Sequence, residues 1–360
     1  MKNDINLKDW LANNGGPSIL LQIENNNKQK NKFDNRLTSK LLEIEGVQNL
    51  LSYLDPFSAK PREKKTLEHL LHYYKDTCID QFFPRLMDLG FRAGMGIFDK
   101  KMEPVRELYS YLLSAYYSWV IMISRYFFMA GYCFEEVINA VKQRINLLYP
   151  AAKERIFDIY QDKGKLPKTS KNWENQGIIK DDLNPYLKIK PLPLFYDIAA
   201  MAYFPKQYLN PDLEKKFEII IEYILDPQFQ KLPEGYGLLW VKSRRIYHSC
   251  GWNPTLPFYQ DYPRPGQYNK NRLLYYVNLM SHFKLAQKTQ WFIDCLKYLE
   301  QYQAEDGTFL FPKELLHQKY VPEAFLNESN LKLKRKERTE MINRIASTLY
   351  IYKIYQRINN

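Results

Sequence analysis

The sequence predicts an all-α protein, and three observations support that fold class. Apolar residues recur at the three- and four-residue spacing of an amphipathic helix along most of the chain. Strand signals, which would be alternating apolar and polar residues, are nearly absent. Proline follows apolar runs at Asp55-Pro56, Tyr149-Pro150 and Asp226-Pro227, where it cannot continue a helix. We therefore expect helices joined by short turns.

Taken in chain order, the apolar spacing predicts a series of helices of ordinary length. They lie near residues 4–13, 38–54, 62–76, 78–89, 104–130, 134–148, 151–161, 191–204, 211–225, 270–286, 288–303 and 337–357. Before residue 37, the chain is predicted to form one N-terminal helix and a polar, basic linker, so that residues 1–36 stand apart from residues 37–360.

Two long stretches lack helical spacing and are predicted to be loops. Residues 162–191 are polar and rich in lysine, asparagine and proline, whereas residues 227–266 carry many proline, glycine and aromatic residues. Loops of this length inside a compact domain are usually functional or disordered. Only the second is aromatic enough to be packed.

The composition is that of a chain with a large aromatic core and an excess of positive charge. Hydrophobic residues make up 45% of the chain and aromatic residues 15%, and the formal net charge is +12. Basic residues cluster in two runs, 25–36 and 332–344. These runs contain Lys28, Lys30, Lys32 and Arg36, and Lys332, Lys334, Arg335, Lys336, Arg338 and Arg344. Each run is either a solvated face or a surface for a polyanion such as nucleic acid.

The cysteines and the N-terminus favour a cytoplasmic protein. Cys78, Cys133, Cys250 and Cys295 lie far apart without a Cys-x-x-Cys pair, so neither a disulfide framework nor a zinc ribbon is indicated. The first ten residues lack the apolar stretch of a secretory signal. The charge-free segment 108–124 is short and rich in hydroxyls, which favours a buried inner helix over a transmembrane one.

A weak internal repeat appears where helices meet turns. The sharpest example is Tyr298-Leu299-x3-Gln303-x3-Gly307-x-Phe309, and Tyr223, Gln228 and Gly235 echo it more loosely. This pattern resembles the Gln–Trp motif of the terpenoid cyclase and protein prenyltransferase superfamily, with Phe309 in the tryptophan position. The resemblance implies an α/α toroid of paired inner and outer helices around an apolar cavity, formed as one domain by residues 37–360.

The acid motifs of that superfamily are missing. Asp181-Asp182 follows Ile179-Lys180, so the Asp-x-Asp-Asp motif of triterpene cyclases is not present. Pro185 stands where the last aspartate of an Asp-Asp-x-x-Asp motif would be required. The resemblance therefore predicts a fold, and function does not follow from a fold alone.

Cationic and aromatic side chains that could bind a ligand are concentrated in residues 234–252, which are predicted to line a ligand pocket. Three cations there can receive a phosphate or carboxylate, and four aromatic rings can line an apolar wall. The predicted pocket residues are Tyr236, Trp240, Lys242, Arg244, Arg245, Tyr247, His248, Cys250 and Trp252.

One segment of this pocket also suggests zinc. Tyr247-His248-Ser249-Cys250 is similar to a stretch of protein prenyltransferase β subunits in which the histidine is a zinc ligand. The resemblance would require a further Asp-x-Cys pair, and Asp76-Thr77-Cys78 is far upstream. We therefore expect no cofactor, and His248 and Cys250 as ordinary packed residues. A zinc site is the minor alternative.

Three functions remain open from the sequence. The leading interpretation is a cavity protein that binds an elongated apolar or amphipathic small molecule. The second is a prenyltransferase- or terpene-cyclase-like enzyme without the usual acids. The third is a helical scaffold that binds protein or nucleic acid through its basic surface.

Overall fold

The computed structural model describes residues 6–25, 35–72, 77–115, 117–187, 190–266, 272–316 and 339–359. Within these ranges the chain forms seventeen α-helices and only two short β-strands, which confirms the predicted all-α class. Over the same ranges, none of the helices combines the length and the apolar character that crossing a bilayer requires.

The helices are numbered in chain order. They are α1 (Leu7–Asn14), α2 (Pro17–Asn25), α3 (Asn35–Leu42), α4 (Glu45–Ser52), α5 (Lys64–Leu71), α6 (Ile79–Asp88), α7 (Gly96–Ala115), α8 (Tyr117–Ala130), α9 (Glu135–Lys153), α10 (Phe195–Ala202), α11 (Pro211–Ile224), α12 (Pro227–Gln230), α13 (Leu273–Met280), α14 (Lys284–Gln287), α15 (Gln290–Glu300), α16 (Lys313–Leu316) and α17 (Thr339–Ile358). The strands are β1 (Leu238–Val241) and β2 (Ile246–Ser249).

Of the three predicted proline stops, those at Asp55-Pro56 and Asp226-Pro227 follow the ends of α4 and α11, whereas Pro150 did not end its helix. Helix α9 continues through Pro150 to Lys153, so the predicted break at Tyr149-Pro150 was wrong. The last turn of α9 holds because Ala151 and Ala152 are buried and the Pro150 carbonyl accepts a hydrogen bond from the Glu154 amide. Packing of this kind offsets the roughly 3 kcal/mol that an interior proline costs a helix.

The predicted helix 151–161 was therefore also wrong beyond its first turn. After α9 the chain is extended, and Tyr160 forms an antiparallel bridge with Ile179. Helix α2 was not predicted at all, although Pro17 occupies the first helical position that proline favours.

The described chain clusters into two compact units, each assembled from separate segments. The first contains Met1–Tyr111, Met129–Tyr132 and Gln260–Asn360, and the second contains Leu112–Phe128 and Cys133–Tyr259. The predicted division into residues 1–36 and 37–360 stays a prediction.

In the first unit, the helices from the two ends of the chain pack together. Helix α17 contacts α1, α13 and α16, while α2 contacts α1 and α3. The interior is almost entirely apolar, and its centre includes Leu11, Phe98, Phe309 and Ile351, none of which has measurable exposure.

The predicted Gln–aromatic turn lies in this unit, follows α15 in the chain and is hydrogen-bonded to α17. The Gln303 side-chain amide donates to the Gly307 carbonyl at 3.2 Å, and Gln303 also forms a backbone bridge with Phe309. The Phe309 amide donates to the Thr348 hydroxyl of α17 at 3.0 Å. The turn therefore closes on itself and is fastened to a helix that follows it in the chain.

In the second unit, α9 packs along α11 and a buried ion pair connects α9 to α10. Arg144 donates from Nε and Nη2 to the two carboxylate oxygens of Asp197, each at 2.9 Å. Asp197 also accepts the Leu194 amide at 2.8 Å at the start of α10. Beside this pair is an enclosed cavity of about 10 Å³, which has room for about one water molecule.

Candidate functional site: the basic hairpin

The predicted pocket segment folds as a β-hairpin rather than as a loop. Strands β1 and β2 pair antiparallel, with Trp240 opposite Tyr247 and Val241 opposite Ile246. Aromatic and β-branched residues at these four positions suit a strand. The connection is the four-residue turn 242–245, whose sequence Lys-Ser-Arg-Arg carries neither glycine nor asparagine, and this is why the hairpin was not predicted.

The base of the hairpin is anchored by the first predicted loop. The Leu238 amide donates to the Gly177 carbonyl, and the Ile179 amide donates to the Leu238 carbonyl, both at 2.9 Å. Gly237 has φ of 134°, and a side chain there would bring its Cβ within 2.4 Å of the Gly177 oxygen. The close approach of these two segments therefore requires glycine at position 237.

Two of the predicted pocket residues are buried packing residues. Tyr236 and Cys250 have no measurable exposure, and the Tyr236 hydroxyl donates to the Pro193 carbonyl at 2.5 Å. The Tyr186 hydroxyl donates to the Cys250 carbonyl, also at 2.5 Å. Burial raises the pKa of the Tyr236 hydroxyl and of the Cys250 thiol, so both groups are neutral at physiological pH.

The cations of the predicted pocket lie on the surface, at the tip of the hairpin. Lys242, Arg244 and Arg245 are all exposed. Lys242 forms a solvent-exposed ion pair with Asp181 at 2.7 Å. Among the residues that the structure describes, the guanidinium groups of Arg244 and Arg245 have neither a hydrogen-bond partner nor a carboxylate partner.

The backbone of the tip places an arginine in an unfavourable conformation. Arg245 has φ of 51°, in the left-handed region that glycine and asparagine occupy most readily. The Arg244 amide donates to the Val241 carbonyl at 3.1 Å, which closes the turn. Glycine at position 245 would fit the backbone of this turn equally well. The geometry of the turn therefore does not explain why the residue is arginine.

Two aromatic rings of the predicted pocket contact each other on the strands that lead to these cations. The Trp240 and Tyr247 ring centroids are 4.7 Å apart, and both residues are half-buried. The Tyr247 hydroxyl donates to the Pro167 carbonyl at 2.6 Å, which holds its ring in place. Trp252 lies elsewhere, packed against Phe195 with ring centroids 6.0 Å apart.

The structure thus separates the nine predicted residues into inner and outer groups. Tyr236, Cys250 and Trp252 pack into the second unit, whereas the remaining six belong to the hairpin. Sequence reasoning missed Asp181, which pairs with Lys242, and Gly177, which anchors β1. Neither has a signal that spacing along the chain reveals, because both are brought to the hairpin by folding. The assignment of all nine residues to one ligand pocket stays a prediction.

The residues named for zinc occupy dissimilar environments. His248 is exposed on β2, and Cys78 is a buried residue that immediately precedes α6 in the other unit. Asp76 lies outside the described residues. Across the described ranges, His, Cys, Asp and Glu side chains form no group of three or more that could hold a metal ion.

Most of the predicted basic runs also lies outside the described residues, including Lys28, Lys30, Lys32 and 332–338. Arg344 is described, and it donates to Asp306 at 3.3 Å and to Thr308 at 3.1 Å. Arg344 therefore supports the turn that ends at Phe309.

Comparison of the chain with known protein families, curated proteins and solved structures gave no match.

Proposed function

We propose that this protein binds nucleic acid through the hairpin formed by β1 and β2. The observation that carries the proposal is the pair of exposed guanidinium groups at Arg244 and Arg245, which have no partner among the described residues. The strands on either side of them carry two half-exposed aromatic rings in contact with each other. This corresponds to the sequence-based alternative of a helical scaffold with a basic binding surface.

The physical chemistry of the tip favours a phosphate-bearing partner. A guanidinium group binds phosphate through two parallel N–H···O bonds, and each neutralised phosphate releases condensed counterions. The net charge of +12 adds a long-range attraction for any polyanion. Lys242 can join because exposed ion pairs such as Lys242–Asp181 contribute little free energy and exchange readily.

The backbone of Arg245 agrees with the proposal, and Lys60, Arg155 and Arg272 share its left-handed φ. A residue with a side chain in the left-handed region costs roughly 1 kcal/mol relative to glycine. Strained residues of this kind occur disproportionately at functional sites. An arginine at this position is explained if its side chain is needed for binding.

Two other functions stay predictions. The α/α toroid, with a cavity for an elongated apolar or amphipathic molecule, depends on the resemblance at Gln303–Phe309. The zinc-dependent transferase depends on the resemblance at Tyr247–Cys250. The geometry of the hairpin does not require either of them.

The proposal is tested by measuring binding of a fluorescent oligonucleotide to the full chain as salt is varied. We expect affinity to fall as salt rises, and the double variant Arg244→Ala/Arg245→Ala to bind more weakly at every salt concentration. Because each single-strand phosphate contact contributes about 0.7 to the slope of log K against log salt, the loss of two contacts should reduce that slope by about 1.4.

The matched control is Lys206→Ala/Lys215→Ala, which removes the same charge from exposed positions of the same unit outside the hairpin. It should leave the salt slope close to that of the unchanged protein. Equal weakening by both double variants, or binding only to vesicles of anionic phospholipid, would contradict the proposal.

A further inference from the structure

We infer that the hairpin selects single-stranded nucleic acid, because Trp240 offers its ring as a stacking platform for an unpaired base. This inference rests on the proposed function and specifies the class of nucleic acid that the same site takes. It depends on a different residue and on a different interaction from the phosphate contacts of Arg244 and Arg245.

The first step concerns how rigidly the Trp240 ring is held. Trp240 lies opposite Tyr247 in the strand register, and their rings are in contact on one side. Tyr247 is itself tied to Pro167 through its hydroxyl, and burial raises the pKa of that hydroxyl, so it remains a donor. A ring that is braced in this way loses little conformational entropy when a base stacks on it.

The second step concerns the position of the ring relative to the cations. Trp240 is two residues before Lys242, and Tyr247 is two residues after Arg245. At about 3.3 Å per strand residue, the chain positions of the two aromatic residues are roughly 7 Å from those of Lys242 and Arg245. A nucleotide whose phosphate contacts the tip can therefore place its base on the aromatic pair.

The third step separates single strands from duplexes. Bases in a duplex are stacked on each other, and only unpaired bases present a free face to a protein ring. A β-ribbon that reads a duplex lies in the major groove along its length. Here β1 and β2 have four residues each and Leu238 is buried at the base of the hairpin, which leaves little ribbon to enter a groove.

The test compares a thymine homopolymer with a duplex of equal length, using the full chain. We expect Trp240→Ala to weaken binding of the single strand about 5- to 150-fold, the range measured for loss of one stacked base. Binding of the duplex and the salt slope should change little, because stacking is not an ionic contact. Trp240→Phe keeps an aromatic face and should retain most of the single-strand affinity.

The outcomes distinguish this inference from the proposal on which it rests. If Trp240→Ala binds the single strand normally while Arg244→Ala/Arg245→Ala does not, stacking is refuted and the proposed function stands. If the double arginine variant binds both nucleic acids normally, the proposed function falls and this inference falls with it. A circular dichroism melt of each variant shows whether the fold is retained, and Trp240→Phe supplies the comparison if Trp240→Ala does not fold.

Discussion

The interior of the first unit alters the ionisation of Lys353. Its ammonium group donates to the Gln22 side chain, and Gln22 donates to the Asp88 carbonyl at 2.5 Å. Burial lowers the pKa of Lys353 to about 7, with Arg92 and Arg357 acting in the same direction and the negative charge of Asp88 opposing the shift. The folded protein therefore releases a proton that the unfolded chain still holds.

This lysine should make stability depend on pH. Between about pH 7 and the ordinary lysine pKa of 10.5, the unfolded state binds more protons, so the free energy of unfolding rises as pH rises. One proton sets an upper limit of about 1.4 kcal/mol per pH unit. We expect urea unfolding to show this rise from neutral pH upward, before tyrosines titrate, and Lys353→Met to reduce it.

Lys297→Met is the control for this experiment, since Lys297 is exposed on α15 of the same unit. It should leave the pH dependence unchanged. A slope that is the same in the unchanged protein and in Lys353→Met would show that Lys353 keeps its ordinary pKa in the fold.

Single residues also show what could be read from the sequence of the candidate site. The density of cations and aromatics in 234–252 marked this segment as the candidate site, and that assignment stays a prediction. Which side chains are buried depends on where the strand begins, since Tyr236 precedes β1 and has φ of 60°. Tyr236 and Trp240 look equivalent along the chain, yet one is fully buried and the other is half-exposed.

At the scale of an element, the turn from Gln303 to Phe309 shows how a short motif acts through a distant helix. The Thr348 hydroxyl of α17 accepts from the Phe309 amide, and the neighbouring Ser347 hydroxyl accepts from the Phe311 amide at 2.9 Å. Thr348 and Ser347 are themselves fully buried. Two helix hydroxyls therefore replace a missing strand partner for backbone groups that water cannot reach.

Thr348→Val tests this brace, because valine has nearly the same shape and lacks the hydroxyl. A buried amide left without an acceptor costs about 1–3 kcal/mol, and we expect the free energy of unfolding to fall by that amount. Urea denaturation gives the magnitude. Faster hydrogen exchange at the Phe309 amide would locate the effect.

Thr66→Val makes the same chemical change at an exposed position of α5 and should alter stability by no more than about 0.5 kcal/mol. If Thr348→Val is equally mild and the Phe309 amide stays protected, the hydroxyl does not hold the turn.

Element boundaries were predictable where local chemistry determined them and not where packing did. Helix α11 was predicted to within a residue from apolar spacing and the Asp226-Pro227 stop, and in the structure Asn210 caps its start and Pro211 occupies its first position. Helices α6, α7 and α9 each contain an interior proline, at Pro84, Pro104 and Pro150. A local rule reads proline as a stop, and only contacts from elsewhere in the chain can offset it.

At the scale of the whole molecule, the two compact units could not be read from composition or spacing. Each unit combines segments that are far apart in sequence, such as Met1–Tyr111 with Gln260–Asn360. No shift in composition marks the boundaries, and the chain crosses two of the four, at 111/112 and 128/129, inside helices. Helix α8, for example, contributes residues to both units. Non-local association of this kind is decided by packing, for which one sequence carries no direct signal.

The reactivity of the four free cysteines can be used to follow the unfolding of each unit separately. Cys78 and Cys295 are buried in the first unit, Cys250 is buried in the second, and Cys133 is half-exposed. Burial raises the pKa of the Cys250 and Cys295 thiols, which further slows their reaction with alkylating reagents. In the folded protein we therefore expect brief alkylation to modify Cys133 alone, as mass spectrometry of the digested protein would show.

As urea is increased, Cys78 and Cys295 should become reactive at one common concentration, because a compact unit opens cooperatively. Cys250 should become reactive when its own unit opens, and the urea concentration at which this happens need not equal that of Cys78 and Cys295. Thr348→Val removes a bond within the first unit and should move Cys78 and Cys295 together to lower urea. Separate transitions for these two thiols, or a shift of one without the other, would mean that the first unit is not a single cooperative structure.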